Sequence, residues 1–247
     1  MKTTQNTMLI TGGTSGLGLG LAQRFHAAGN TVIIAGRRAD LLDEIVAAHP
    51  GMESLVLDVS DPESIAAAYA SVTASHPDLD VLINMAGIML PENLLDGSAL
   101  STAEDTITTN LLGPIRMLNA FVPFFAAKDD AVIMNVSSGL AFVPLPFTPT
   151  YNATKAAIHS YTQSLRVQLA DTSVQVLELA PPAVRTALMG QTDDERAMPL
   201  EEFLDEVMTL IENNPDADEI LVERVKFLRF AEAEGRFDDV LGLLSSH

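Results

Sequence analysis

The sequence sets a tyrosine and a lysine four residues apart, in Tyr151-Asn152-Ala153-Thr154-Lys155. On a helix that spacing puts both side chains on one face. A free phenol, with a pKa near ~10, is a poor acid or base at neutral pH. An ammonium group a few ångströms away favours the phenolate and lowers that value. Tyr151 could then give a proton to a carbonyl oxygen or take one from an alcohol. Ser138, thirteen residues upstream, could donate to the same oxygen and hold the substrate. A bare tyrosine–lysine pair reads as readily as a half-buried helix tyrosine and a surface lysine. The weight of the pair comes from what lies around it.

A glycine loop is the second feature. The apolar run 7–10 leads directly into Thr11-Gly12-Gly13-Thr14-Ser15-Gly16-Leu17-Gly18, with glycine spacing G-x-x-x-G-x-G, and a helical pattern follows. Gly12 permits a tight turn, Gly16 lets a pyrophosphate approach the backbone, and Gly18 lets the helix pack closely on the strand. The helix N-terminus then points free N–H groups at the phosphates, which makes Gly12, Thr14, Ser15, Gly16, Leu17 and Gly18 a candidate cofactor-binding set. A nicotinamide ring held there would exchange hydride with a substrate carbon. At the end of the second strand, Ala35-Gly36-Arg37-Arg38 carries no acid for the ribose hydroxyls. Arg37 can pair with a 2′-phosphate, so NADP(H) is favoured over NAD(H); the other reading of Arg37 is a solvated arginine at a helix start. Asp40 is expected to face outward on the following helix.

The elements that must position these groups alternate. Strands are predicted over 7–10, 31–35, 55–57, 81–84, 131–136 and 174–179. Helices are predicted over 18–28, to about 48, from an Asp61-Pro62-Glu63 start, over 101–127 with bends near Pro114 and Pro123, and over 151–170. The strands are nearly all apolar, as a sheet covered on both faces requires. The fold class is therefore α/β, a doubly wound parallel sheet of Rossmann type with six or seven strands and a helical C-terminal tail. In such a sheet strand ends and helix starts meet at the carboxyl edge, so Ser138, Tyr151, Lys155 and the glycine loop converge on one rim.

Composition narrows the function classes. The chain has 247 residues, 47% hydrophobic and 19% charged, which suits one domain over 1–247 with a sizeable core. Net charge is −19, of which −11 falls in the last 57 residues; a chain this acidic repels phosphate backbones, so no nucleic-acid partner is expected. The absence of cysteine excludes disulfides and thiol nucleophiles and suits a reducing cytoplasm. The start MKTTQNTMLI does not read as a secretory signal, and no apolar run of ~18 residues suggests a membrane span. His26, His49, His76, His159 and His247 show no metal-site spacing, and His159 reads as a packing or capping residue. Asp193-Asp194-Glu195 and Glu201-Glu202 read as a solvated acidic face. Met85 and Met89 flank the fourth strand's exit, where they either line a pocket or fill the core.

In this order the motifs resemble those of the short-chain dehydrogenase/reductase family, in its small single-domain form, over most of the chain to about Thr186. Beyond the glycine loop and the Ser138/Tyr151/Lys155 set, Asn84-Met85-Ala86-Gly87 looks like the family's NNAG, with methionine in place of the second asparagine. Asp58-Val59 matches the pair near the adenine, and Asn135-Val136-Ser137-Ser138 the segment whose second serine is catalytic. Asn110 in TNLLG matches the helix asparagine of the catalytic tetrad. Pro181-Pro182-Ala183-Val184-Arg185-Thr186 resembles the PGxVxT stretch that holds the nicotinamide amide, with Pro182 replacing glycine. The resemblance thus implies catalytic roles for Asn110, Ser138, Tyr151 and Lys155. It adds Asp58, Val59, Asn84, Ala86, Gly87, Val184 and Thr186 to the cofactor set, which Tyr151 and Lys155 also join.

Residues 187–247 depart from the family and lack its VDGG-like turn; here 219–232 reads as strand or helix, followed by 237–244. YNATKAAIHSYTQSLR, the PPAVRT turn and this tail are similar to a branch of bacterial oxidoreductases linked to cell-wall D-alanylation operons, which specifies no substrate. The expected activity is interconversion of a carbonyl and an alcohol with NADP(H). The alternative is a catalytically idle NADP-binding redox sensor or interaction protein. A sugar epimerase or dehydratase is disfavoured, because the chain lacks room for a second substrate lobe. The apolar loop 140–147 and the segment after Thr186 are the candidate substrate walls. Leu111, Leu112, Ile115, Leu118, Val122 and Phe125, with Ile158, Tyr161 and Leu165, offer more apolar helix surface than one sheet face can cover. In the family these two helices pair two subunits, so a homodimer is expected ahead of a homotetramer.

Overall fold

Seven parallel strands form one sheet in the order β3-β2-β1-β4-β5-β6-β7. The computed structural model describes residues 1–95 and 97–246, with the side chains of 191–193 outside the description. The strands are β1 (Thr7–Thr11), β2 (Thr31–Gly36), β3 (Glu53–Val56), β4 (Val81–Asn84), β5 (Ala131–Val136), β6 (Val174–Leu179) and β7 (Glu219–Ile220). β1, β4 and β5 are buried throughout, which is why they read as unbroken apolar runs. The edge strand β3 is mostly exposed and begins two residues earlier than the apolar pattern suggested. The tail resolves as both alternatives in succession: the two-residue strand β7, whose Glu219 and Ile220 pair with Glu178 and Leu179, and then helix.

The helices α1 (Gly16–Ala27), α2 (Ala39–Ala48), α3 (Pro62–Ser75), α4 (Leu100–Ile107), α5 (Gly113–Ala126), α6 (Pro149–Gln168), α7 (Leu200–Asn213), α8 (Glu223–Arg229) and α9 (Phe237–Ser245) complete the chain. α3 starts as its sequence indicates: Asp61 accepts from the Glu63 amide at 2.9 Å and Pro62 opens the helix. The predicted long helix is divided differently than expected. Instead of bends at Pro114 and Pro123, a π-helical turn over Thr108–Leu112 separates α4 from α5, and α5 continues through Pro123. Pro114 has no N–H to donate to Asn110 one turn back, and the wide turn carries Asn110 in its centre.

Apolar clusters fill both faces of the sheet. Phe25, Phe203, Leu204 and Val207 pack on one side. Leu118, Phe121, Phe125 and Leu165 pack on the other. Leu118, Phe125, Ile158 and Leu165 are therefore covered by the chain itself, leaving less open helix surface than the sequence count suggested. Of that set Leu112 remains 38% exposed, and Ile107, at the end of α4, is 39% exposed beside the same turn. A third cluster, Val143, Ala231 and Val240, binds α8 and α9 to the loop after β5. Among the described residues no helix is long and apolar enough to cross a membrane.

Candidate active site

β1 lies between β2 and β4, so the chain leaves the sheet on opposite sides at this point and a crevice opens beyond the carboxyl ends of the strands. A cleft of about 900 Å³ occupies that place. The glycine loop forms its floor: Gly12, Thr14, Ser15, Gly16, Leu17 and Gly18 all line it. Gly12 has φ +70°, and a Cβ there would stand 2.9 Å from Ala86 Cα; a Cβ at Gly18 would stand 2.3 Å from the Gly12 carbonyl oxygen. Ser15 makes no side-chain cap at the N-terminus of α1. At the start of the helix the Leu19 N–H donates to the Ser15 carbonyl at 3.2 Å, so the amides of residues 16–18 lie ahead of that bond. Thr11 Oγ holds the opposite lip, accepting from the Met85 and Ala86 amides at 3.0 and 3.1 Å.

Arg37 and Arg38 both line the end of the cleft beyond β2, whereas Asp40 is exposed and does not. Arg38 was not singled out by sequence; its Nη2 lies 3.5 Å from Thr14 Oγ. The adjacent pair of arginines at the strand end was the available signal. Asp58 and Val59 line the same end. Burial pushes the Asp58 carboxyl up, but the Ser60 hydroxyl and amide, with Arg37 nearby, hold it below its ordinary range. Free amides, two guanidinium groups and a cradle that a Cβ would fill fit the phosphates of a dinucleotide.

The opposite wall carries Ser138, Tyr151 and Lys155, together with Ala86, Gly87, Val184 and Thr186. The Lys155 ammonium donates to the Val136 carbonyl at 2.8 Å and lies 5.6 Å from the centre of the Tyr151 ring. Asn110 and Asn84 stand behind this wall rather than in it. Asn110 exchanges two hydrogen bonds with the backbone of Ile88, at 2.8 and 2.7 Å. A Cβ built on Gly87 would lie 3.3 Å from Asn110 Oδ1 and 3.9 Å from Lys155 Nζ, so both groups flank that glycine. Asn84 donates to Asn135, which donates to Thr162, at 2.9 and 3.0 Å, a buried amide ladder joining β4, β5 and α6.

The electrostatics depart from the simplest expectation. Burial pushes the Tyr151 phenol up to about 12, with the Ser138 hydroxyl acting the other way. Burial also pushes the Lys155 ammonium down to about 8, opposed by Glu178. Desolvation outweighs the Ser138 hydrogen bond, so Tyr151 holds its proton at neutral pH in this arrangement.

Apolar side chains line the remainder. Leu140, Leu145 and Phe147 come from the loop after β5, Leu188 and Met189 from the segment after Thr186, and Leu228, Leu243 and Leu244 from α8 and α9. The last three were not identified by sequence, because nothing local marks where a tail folds back. Met85 and Met89 both line the cleft, and Met89 is largely buried. The acidic pairs have cationic partners: Asp194 binds Arg196 at 3.0 Å, and Glu201 binds Arg24 at 2.8 Å. The Asp193 side chain and His247 lie outside the described residues. His159, Glu178 and Glu219 bring potential ligand atoms within 4.8 Å of one another. Glu178 is engaged by Ser137 and His159, and Glu219 by Arg229 at 3.0 and 3.1 Å.

Comparison with known proteins agrees with this geometry. Residues 6–197 match the family described as short chain dehydrogenase. The chain is 40% identical over 237 residues to the uncharacterized oxidoreductase DltE of Bacillus subtilis, covering 94% of this chain and 93% of that protein. The crystal structure of a short chain dehydrogenase from Burkholderia cenocepacia in complex with NADP superposes with a TM-score of 0.86 over the whole of both chains at 24% identity. A short-chain dehydrogenase from Sphingobium yanoikuyae in complex with NADPH gives 0.81 at 25% identity, over 96% of both chains. With the motif order, the sheet order and these matches in agreement, the chain belongs to the short chain dehydrogenase family and is an oxidoreductase of that family.

Proposed function

We propose that the protein interconverts a carbonyl and an alcohol with NADP(H) as the preferred cofactor and Tyr151 as the acid/base. The observation that carries this reading is the placement of Ser138, Tyr151 and Lys155 on one wall of the cleft whose floor is the glycine loop. The bound nicotinamide supplies or accepts the hydride. The phenol, protonated at neutral pH, gives its proton to the carbonyl oxygen in reduction. Ser138 donates to the same oxygen and orients it. Lys155 stabilises the phenolate left behind, and Asn110 holds the Gly87–Ile88 backbone against it. The amides of residues 16–18 take the pyrophosphate, while Arg37, with Arg38 beside it, takes a 2′-phosphate. Asp58 and Val59 flank the adenine, Ala86 and Gly87 the ribose side, and Val184 and Thr186 the nicotinamide amide. Asn84 acts from behind, through the amide ladder.

The apolar lining by Leu140, Leu145, Phe147 and Leu228 suits a non-ionic, partly hydrophobic substrate. Residues 1–247 act as one domain, with 187–247 its substrate-side segment. The protein works in the cytoplasm as a homodimer, through the face that bears Ile107 and Leu112. The test is oxidation of NADPH and NADH against a panel of aliphatic and aromatic carbonyls, with wild type and Tyr151→Phe side by side. Tyr151→Phe is expected to bind cofactor normally and to lose ~100-fold or more in turnover. Near-normal turnover by the variant overturns Tyr151 as the proton donor. A wild type that binds NADPH but reduces nothing favours the redox-sensing alternative.

A further inference from the structure

Behind the catalytic wall lies a carboxylate that the proposed reaction does not use. Glu178, in β6, is completely buried. An isolated carboxylate is costly to bury, and Glu178 is held by several partners. Ser137 Oγ donates to Glu178 Oε1. His159 Nδ1 donates to both carboxylate oxygens, at 2.8 and 3.0 Å. The Gln163 amide nitrogen lies 3.2 Å from His159 Nε2, which matches the tautomer carrying its proton on Nδ1. The His159 and Phe142 rings also meet edge to face at 4.8 Å, and the Arg229 guanidinium lies 4.6 Å from the Phe142 ring centre.

These partners belong to the two elements that carry the proposed catalytic groups. Ser137 lies between Val136, whose carbonyl receives the Lys155 ammonium, and Ser138. His159 is one helical turn beyond Lys155 on α6, on the same face. We propose that Glu178 is a positioning residue: through Ser137 and His159 it clamps the end of β5 to α6, and its negative charge keeps the Lys155 ammonium charged. The inference rests on the reading of Lys155 as part of the active site. The charged groups facing this position are His159 and Lys155 from α6, Glu219 from β7 and Arg229 from α8, the last two bound to each other. Of these, His159 is hydrogen-bonded to the carboxylate, and Lys155 feels its field. The direction of its electrostatic effect on Lys155 agrees with the geometry, since Glu178 opposes the burial that favours the neutral amine.

The experiment follows the Lys155 side chain itself. The chain contains four lysines, so carbon-labelled lysine side chains give a resolvable nuclear magnetic resonance titration of the full chain without added cofactor. The Lys155 signal is assigned by its loss in Lys155→Met. Glu178→Gln keeps the shape and most of the hydrogen bonding but removes the charge. It is expected to move the Lys155 midpoint lower and to bring the alkaline limb of kcat down with it. Ser137→Ala cuts the clamp and leaves the charge; it should lower kcat several-fold with the Lys155 midpoint in place. If Glu178→Gln does not fold, Glu178→Asp withdraws the carboxylate by one methylene and should move the midpoint in the same direction by less. A Lys155 midpoint unchanged in the folded Glu178 variant overturns the proposal, because a merely structural role would not move it. A wild type without carbonyl turnover counts against the proposed function alone, since the titration is read without catalysis.

Discussion

Replacing Lys155 by methionine should make the protein more stable while destroying its proposed activity. The Lys155 ammonium is buried and its pKa is pushed from 10.5 down to about 8. At ~1.4 kcal/mol per pH unit, holding that charge at pH 7 costs the folded state about 3 kcal/mol. Methionine has a similar unbranched length and no charge to bury. Its cost is the donor to the Val136 carbonyl, and an acceptor left without a partner loses ~1–3 kcal/mol. The net expectation is a gain of up to about 2 kcal/mol. For a chain of this size that is a rise of up to about 8 °C in Tm.

The pH dependence makes the reasoning specific. Lys155 has a lower pKa folded than unfolded, so between about 8 and 10.5 the unfolded chain binds more protons than the folded one. Wild-type stability therefore rises with pH across that window relative to the variant, which has no such group. The advantage of Lys155→Met should be complete at pH 7 and shrink steadily toward pH 10. Thermal denaturation of both proteins, followed by circular dichroism at pH 7, 8, 9 and 10, measures it. A variant less stable than wild type at pH 7, or a difference that stays constant to pH 10, would refute the argument.

Arg37→Ala should weaken NADPH by about 1.5–3 kcal/mol, ~10–150-fold in Kd, and leave NADH nearly unchanged; fluorescence titration with both cofactors decides, and equal losses would remove the 2′-phosphate assignment. Light scattering at micromolar concentration should give a dimer mass. A monomer would refute association through the Ile107 and Leu112 face, and a tetramer would show that the unusual tail does not block a second contact.

The parts of the fold that were legible in sequence are those where one physical constraint dominates a short stretch. A doubly covered strand must be apolar at every position, so β1, β4 and β5 announce themselves. The glycine loop is legible because only a residue without Cβ fits beside the Ala86 backbone or the Gly12 carbonyl. The π-helical turn around Asn110 was not legible, since a helix period read from side chains does not register one widened turn. β7 was missed as a definite strand because two residues carry no periodicity, and its pairing depends on the exposed edge of β6. Glu178 did leave a signal that went unused. A carboxylate inside a strand destined for burial on both faces requires a partner, and His159 stands one turn beyond Lys155.

The division of the cleft follows the same boundary. Its cofactor side is made by loops following β1 to β6, the part of the chain whose motifs fall in the family's order. Leu228, Leu243 and Leu244 reach the cleft from α8 and α9, beyond the matched residues 6–197. α8 also reaches the element that carries Lys155, since Arg229 lies on Phe142 and Phe142 on His159 of α6. The third apolar cluster fixes this tail to Val143 in the loop after β5, so its position is set by burial rather than by a tether. Under the proposed function, family membership then specifies the reaction, and the tail shapes the space in which a substrate must fit. Substitutions at Leu228 or Leu243 should accordingly alter which carbonyls are reduced while leaving cofactor affinity in place, because neither residue lies near the glycine loop in sequence or belongs to the elements that hold it.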